Sequence, residues 1–173
     1  FTTGDGSCLL HAVSRAIWGV EIFSDVLRVQ VCRELVQNRE WYTKHVGAEE
    51  VEAATQQAHT RNAFLSNLHM VAVANVIQRP IILYASVRDI ACLGTGFYGV
   101  AGTFVPMRLA PSSCCRHPVS IGWQSEQKNH FVALAPVGDD MQSFRWPLPR
   151  APPLPSGTGD DSGMSCDGVD ASA

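Results

Sequence analysis

The sequence predicts an α/β domain, helical in its first half and strand-bearing after that. Apolar residues recur at helical spacing through several segments before Pro80. Short apolar runs bounded by turn residues follow at Ile81–Tyr84, Ser120–Trp123 and Phe131–Leu134. The 173 residues are enough for one domain with a sizeable core.

The elements can be justified in chain order. Cys8 to Trp18 carries inward faces Leu9/Val13/Ala16/Val20 or Leu10/Val13/Ile17 and should stop at Gly19. Ser24 is an N-cap candidate for a second helix to about Val36, with Asp25 in its positive first turn and a core stripe of Leu27, Val31 and Leu35. Glu49 to His59 is polar, alanine-bearing and helical, readable either as a solvated helix or as a lid or contacting arm. Ala63 to Ile77 reads as a long buried helix through Phe64, Leu68, Val71, Ala72, Asn75 and Val76, with His69 packed or on the surface. Arg79-Pro80 ends it, because proline cannot continue a helix and disfavours helical geometry before itself. Ile81 to Tyr84 should be a fully buried strand, and Gly94 to Gly102 a loop without phosphate-loop spacing. Gln124 to Asn129 is the hairpin loop between the last two strands. Trp123 is assigned to the core.

Two residues stand out chemically. Gly4-Asp5-Gly6-Ser7-Cys8 is a tight polar turn running into the first helix, with a cysteine at the junction. A helix N-terminus stabilises a thiolate, so the expected Cys8 pKa is lowered. The glycines let the backbone bend and leave N–H groups for an oxyanion. His130, 122 residues further on, begins the last strand, and a cysteine nucleophile needs an imidazole to take its proton. The ordinary readings are a buried core cysteine and a hairpin histidine. His11, three residues after Cys8, is read as structural.

Three ordered blocks sharpen this reading. The first is Thr3 to Ala12 with Trp18-Gly19 and Val26-Leu27-Arg28; the second is Asn67 to Leu83; the third is His117 to Trp123 with Asn129 to Leu134. Together they resemble the ovarian-tumour (OTU) family of cysteine deubiquitinases, in the branch of the valosin-associated and zinc-finger-bearing members. The resemblance covers roughly residues 1 to 136 and implies a papain-like fold, a small central sheet packed between helices.

The resemblance also implies roles. Cys8 would attack the carbonyl of ubiquitin's C-terminal glycine, His130 would act as general base and then acid, and N–H groups of the Asp5-to-Cys8 turn would hold the oxyanion. A base histidine needs an acceptor to fix its tautomer. Relatives place Asp or Asn two positions after it, but here that residue is Val132. The resembled branch can take the acid from upstream of the cysteine, and a chain beginning at Phe1 reads as a fragment lacking that segment. Asp5 is the nearest upstream acid, a candidate orienter of His130 or a shaper of the oxyanion turn. Asn129 would point to the opposite face of its strand. The expected partners are ubiquitin, polyubiquitin chains and ubiquitinated proteins. The alternatives are a weakly catalytic ubiquitin-binding module on the same scaffold and a thiol enzyme for another ubiquitin-like modifier.

A net charge of −3 gives no reason to expect nucleic acid or an anionic membrane as partner. No apolar run approaches a membrane span, and no charged-then-apolar leader opens the chain. The six cysteines make no CxxC pair and no compact disulfide framework, which fits a reduced cytoplasmic or nuclear setting. Cys114-Cys115-Arg116-His117 is read as a loop, since adjacent thiols without a second ligand pair make a poor zinc site; no metal or cofactor is expected. The catalytic domain is placed at 1–138. Residues 139–173, rich in Pro, Gly, Ser and Asp, form a tail that buries too little to offset its ordering entropy.

Overall fold

Helices precede strands, as the apolar spacing predicts. The structure is a computed structural model that describes residues 2–87, 101–124 and 130–135. The order is α1 (Cys8–Trp18), α2 (Ser24–Gln37), α3 (Arg39–Val46), α4 (Ala48–His59), α5 (Asn67–Ile77), β1 (Ile81–Ala85), β2 (Gly102–Phe104), a 3-10 turn at Pro111–Ser113, β3 (Val119–Gln124) and β4 (His130–Ala133). Most of the Gly94–Gly102 loop, the hairpin loop with Asn129, and the 139–173 tail lie outside the described residues.

One mixed sheet is ordered β2-β1-β3-β4. β1 runs parallel to β3, pairing Ile81 with Val119 and Ala85 with Trp123, and β2 closes the other edge antiparallel. β3 and β4 form an antiparallel hairpin in which Gln124 opposes His130 and Trp123 opposes Phe131. Ile81, Leu83, Val119, Ile121 and Phe131 bury the sheet's inner face. α1 packs on β3 and β4, and α2 packs on α1, α4 and α5. This places the start of α1 against the start of β4.

α1 has the predicted bounds and ends where Gly19 turns left-handed at φ 78°. Its buried face is Leu9, Leu10, Val13 and Ile17, whereas Val20 is 46% exposed beyond the helix end. Ser24 is the first helical residue and is buried; Phe23 occupies the cap position, and no side-chain cap bond forms. The Ser14 hydroxyl accepts the Phe23 N–H at 3.3 Å. α3 was not anticipated, because Trp41 and Tyr42 are too few to show a period. α4 buries one stripe, Val51, Ala54 and Ala58, against the other helices and exposes most of its remaining residues.

α5 starts at Asn67, four residues later than its apolar content suggests, because Ser66 caps it. The Ser66 N–H donates to His69 Nδ1 at 2.9 Å, and His69 Nε2 meets the Ala54 carbonyl at 2.8 Å. His69 is therefore packed, and burial pushes its pKa down. Phe64 falls outside the helix and is 69% exposed. β1 is buried on one face only: Tyr84 is half exposed. Among the described residues no helix is long and apolar enough to cross a membrane, and no group of His, Cys, Asp and Glu could hold a metal ion.

Candidate active site

The turn before α1 is shaped by its neighbours as much as by its own residues. Gly6 sits at φ +84°, and a Cβ there would lie 1.8 Å from the Asn62 carbonyl oxygen. Only glycine fits both the backbone angle and that approach. Arg28, buried in α2, reaches under the turn. Its guanidinium donates to the Ser7 hydroxyl at 3.1 Å and the Gly6 carbonyl at 3.5 Å, and to the carbonyls of Gln57, Thr60 and Ala63 at 3.0–3.2 Å. A planar fork of donors can satisfy five acceptors in this way, and an ammonium cannot. The turn is thereby pinned to the end of α4 and the loop after it.

Asp5 completes the turn. Its Oδ1 accepts the Ser7 N–H at 2.9 Å and meets His11 Nε2 at 3.2 Å. Burial alone would raise the Asp5 carboxyl; the Ser7 N–H and His11 more than offset it and hold the group below its ordinary range. Among the described residues, the hydrogen bonds of the Asp5 side chain go to the turn and to His11.

Cys8 opens α1 and is 3% exposed. Burial pushes its thiol pKa up, against the N–H groups of Phe131, Leu9 and Cys8 itself, and the Asp5 charge adds to the rise. The expected lowering by the helix N-terminus is thus overturned: the N–H groups are there, but desolvation of the sulfur outweighs them. Phe131, whose backbone acts to lower the thiol pKa against burial, is the residue next to His130. α1, which Cys8 opens, packs on β4, which His130 opens.

His130 is gripped by a residue the sequence reading overlooked. Its Nε2 lies 2.8 Å from the Thr2 hydroxyl and 2.9 Å from the Thr2 carbonyl oxygen, while the hydroxyl itself donates to the Phe131 carbonyl at 2.5 Å. A hydroxyl has one proton, and here Phe131 receives it. Both Thr2 oxygens must then act as acceptors toward the ring. The hydrogen-bond network so assigns the proton of the neutral imidazole to Nε2 and leaves Nδ1 with its lone pair free. That edge of the ring faces Gly4, where a Cβ would lie 3.8 Å from Nδ1. The third position is therefore filled by a neutral hydroxyl and carbonyl six residues before Cys8. The search for an acid passed over Thr2 because threonine carries no charge. Val132, across the hairpin, packs over Gly122 instead. Trp123 stacks edge-on against Phe131 with centroids 4.7 Å apart, which fixes the strand that carries His130.

The arrangement suits nucleophilic acyl chemistry: a thiol, a tautomerically defined imidazole on the adjoining strand, and the first N–H groups of α1 without helical partners. Known proteins agree with it. The family model described as OTU-like cysteine protease matches residues 3–131. The human deubiquitinating protein VCPIP1 is 30% identical over 151 residues, covering 78% of this chain and 12% of VCPIP1. Human tumor necrosis factor alpha-induced protein 3 is 26% identical over 179 residues, covering 83% of this chain and 22% of that protein. The chain thus spans between about an eighth and a fifth of these relatives. In fold it is similar to the OTU domain of OTUD1 (TM-score 0.55, 17% identity, 77% of this chain and 81% of that one). It is also similar to an ovarian tumor domain solved in complex with ubiquitin (TM-score 0.54, 13% identity, 77% of this chain and 66% of that one). The chain belongs to the OTU-like cysteine protease family.

Proposed function

We propose that this domain is a thiol-dependent deubiquitinase that hydrolyses isopeptide bonds at the C-terminal glycine of ubiquitin through an acyl-enzyme on Cys8. One observation carries the reading: Thr2 takes the Nε2 proton of His130, so the ring offers a free Nδ1 at the start of a strand packed on the helix that Cys8 opens.

The steps follow from that geometry. Burial disfavours the thiolate, so the attack needs a base to take the proton. His130 Nδ1 removes the proton as sulfur attacks the glycine carbonyl, and Thr2 steadies the imidazolium through Nε2–H. The oxyanion is held by N–H groups at the start of α1. The Ser7 N–H is not among them, because Asp5 occupies it. Each such donor is worth on the order of a hundredfold in rate. The tetrahedral species collapses, His130 returns the proton to the leaving lysine amine, and a thioester remains on Cys8. Water, deprotonated by Nδ1, then releases free ubiquitin. The substrates are polyubiquitin chains and ubiquitinated proteins. A reducing compartment, cytoplasm or nucleus, suits an enzyme that must keep Cys8 as a free thiol.

The test is a panel of the eight diubiquitin linkages incubated with wild type, Cys8→Ala and His130→Ala. Wild type should cleave at least one linkage and both variants none. Wild-type inertness toward all eight would falsify the proposal, as would full activity in Cys8→Ala.

A further inference from the structure

His11 is a buried polar side chain that the steps above do not use. It stands between two carboxylates: Nε2 is 3.2 Å from Asp5 Oδ1, and Nδ1 is 3.5 Å from Glu21 Oε2. Each acid holds a different part of the catalytic apparatus. Asp5 takes the Ser7 N–H and so shapes the turn that presents Cys8. Glu21 Oε2 takes the Thr3 N–H at 3.1 Å and the Thr3 hydroxyl at 2.8 Å, which fixes the segment whose neighbouring residue, Thr2, grips His130. Residues 2–4 have no secondary structure of their own, so this anchor sets their register. Arg15 faces Glu21 from the outer side at 3.2 Å.

Two carboxylates brought to one spot repel each other unless something cationic or proton-donating separates them. The His11 ring, rooted in α1 one turn after Cys8, stands between them. The 3.5 Å approach of Nδ1 to Glu21 is not a hydrogen bond, and Nδ1 has no hydrogen-bond partner among the described residues.

We propose that His11 is a positioning residue that couples the cysteine turn to the Thr2 clamp on His130, keeping nucleophile and base in register. The proposal rests on the hydrolase reading for its kinetic consequence but not for its structural one, and two measurements separate them. The first is a double-mutant cycle with a fluorogenic amide of the ubiquitin C-terminus, using His11→Gln, Thr2→Ala and the double variant at a temperature where all are folded. Each single change should lower kcat about tenfold or more with KM little altered, because misplacing a base by a fraction of an ångström is costly. The double variant should fall no further than the worse single one. Multiplying losses would mean that His11 acts independently of the clamp, and the proposal would be wrong. If His11→Gln does not fold, Glu21→Gln takes its place in the cycle.

The second measurement is amide hydrogen exchange at Thr3 and Ser7, which needs no activity. Both should exchange faster together in His11→Gln (or in Glu21→Gln), although each amide is bonded to a different acid. Unchanged exchange at either one overturns the coupling, even if wild type proves inactive on ubiquitin. An inactive wild type with coupled exchange would instead sink the hydrolase reading and leave the coupling intact.

Discussion

α2 carries two polar clusters, one centred on buried Arg28 and one on half-buried Glu34, and they are built on opposite plans. Toward its C-terminal end, Glu34 takes the Tyr42 hydroxyl and Arg108 Nε on one oxygen, and Asn38 and Arg108 on the other. Asn75 donates to the Tyr42 oxygen at 2.8 Å and accepts the Arg108 N–H at 3.2 Å. The Glu34 hydrogen bond holds the Arg108 pKa up, and burial drives that of Tyr42 well above its ordinary value. This cluster is closed, and it ties α2, α3 and α5 to the segment before β3. Two turns earlier, Arg28 belongs to the open cluster around Cys8. The buried polar atoms without a partner among the described residues are His11 Nδ1, Arg28 Nε and Trp123 Nε1, and all three lie around the catalytic turn or its partner strand. A fully satisfied network rigidifies a fold, while unspent donors and lone pairs are what a reaction needs. The two clusters on α2 thus hold different things: one ties helices together and the other holds the turn before Cys8.

The sharpest break of this comparison is Cys8→Ala or His130→Ala. Each should reduce diubiquitin turnover at least about a thousandfold while leaving the melting temperature near wild type, since members of one catalytic unit fail together. Thr2→Ala should lower kcat about tenfold to a hundredfold with KM unchanged, because the ring loses its tautomer lock and not its substrate contacts. Gly6→Ala should cost both ends. The new methyl collides with the Asn62 carbonyl at a left-handed backbone position, so we expect about 2 kcal/mol or more of lost stability by denaturant titration, together with impaired turnover. Tyr42→Phe is the converse test. It removes one member of the closed cluster and should destabilise by about 1–3 kcal/mol with kcat per folded molecule intact. A fall in kcat there would show that the two clusters are not separate.

Much of this was legible before any coordinates. Cys8, Gly19, Pro80 and His130 each act through local backbone chemistry, and the structure places the corresponding element boundaries where those residues put them. What stayed hidden depends on contacts between distant segments. Thr2 meets His130 across 128 residues and has no charge or spacing to announce it. Gly6 looked like turn chemistry, but the sharper constraint is the Asn62 carbonyl pressed against it. The raised Cys8 pKa was misread because a helix N-terminus can be seen in sequence and the burial of a sulfur cannot. Arg28 appeared only as part of a motif, while its five acceptors come from three separate segments. Phe64 was placed in a helix by its hydrophobicity, which says nothing of the Ser66 cap that starts α5 after it.

The smallest predicted effect is one of pH. Asp5 and Glu21 are both held below their ordinary values of 3.8 and 4.5: burial opposes this in each, and hydrogen bonds from Ser7 and His11 to Asp5, and from Thr3 and Arg15 to Glu21, prevail. A carboxylate depressed in the folded state contributes stability above its unfolded pKa and loses it as pH falls through the folded one. Acidification below about pH 4 should therefore loosen the turn and the 2–4 segment, seen as faster exchange at Ser7 and Thr3 relative to their intrinsic rates.

The most direct test is to incubate the protein with ubiquitin carrying a C-terminal electrophile and locate the adduct by peptide-level mass spectrometry. The account predicts one covalent ubiquitin on Cys8, absent in Cys8→Ala and formed far more slowly in His130→Ala. An adduct on Cys32 or Cys114, or undiminished labelling when His130 is removed, would contradict it.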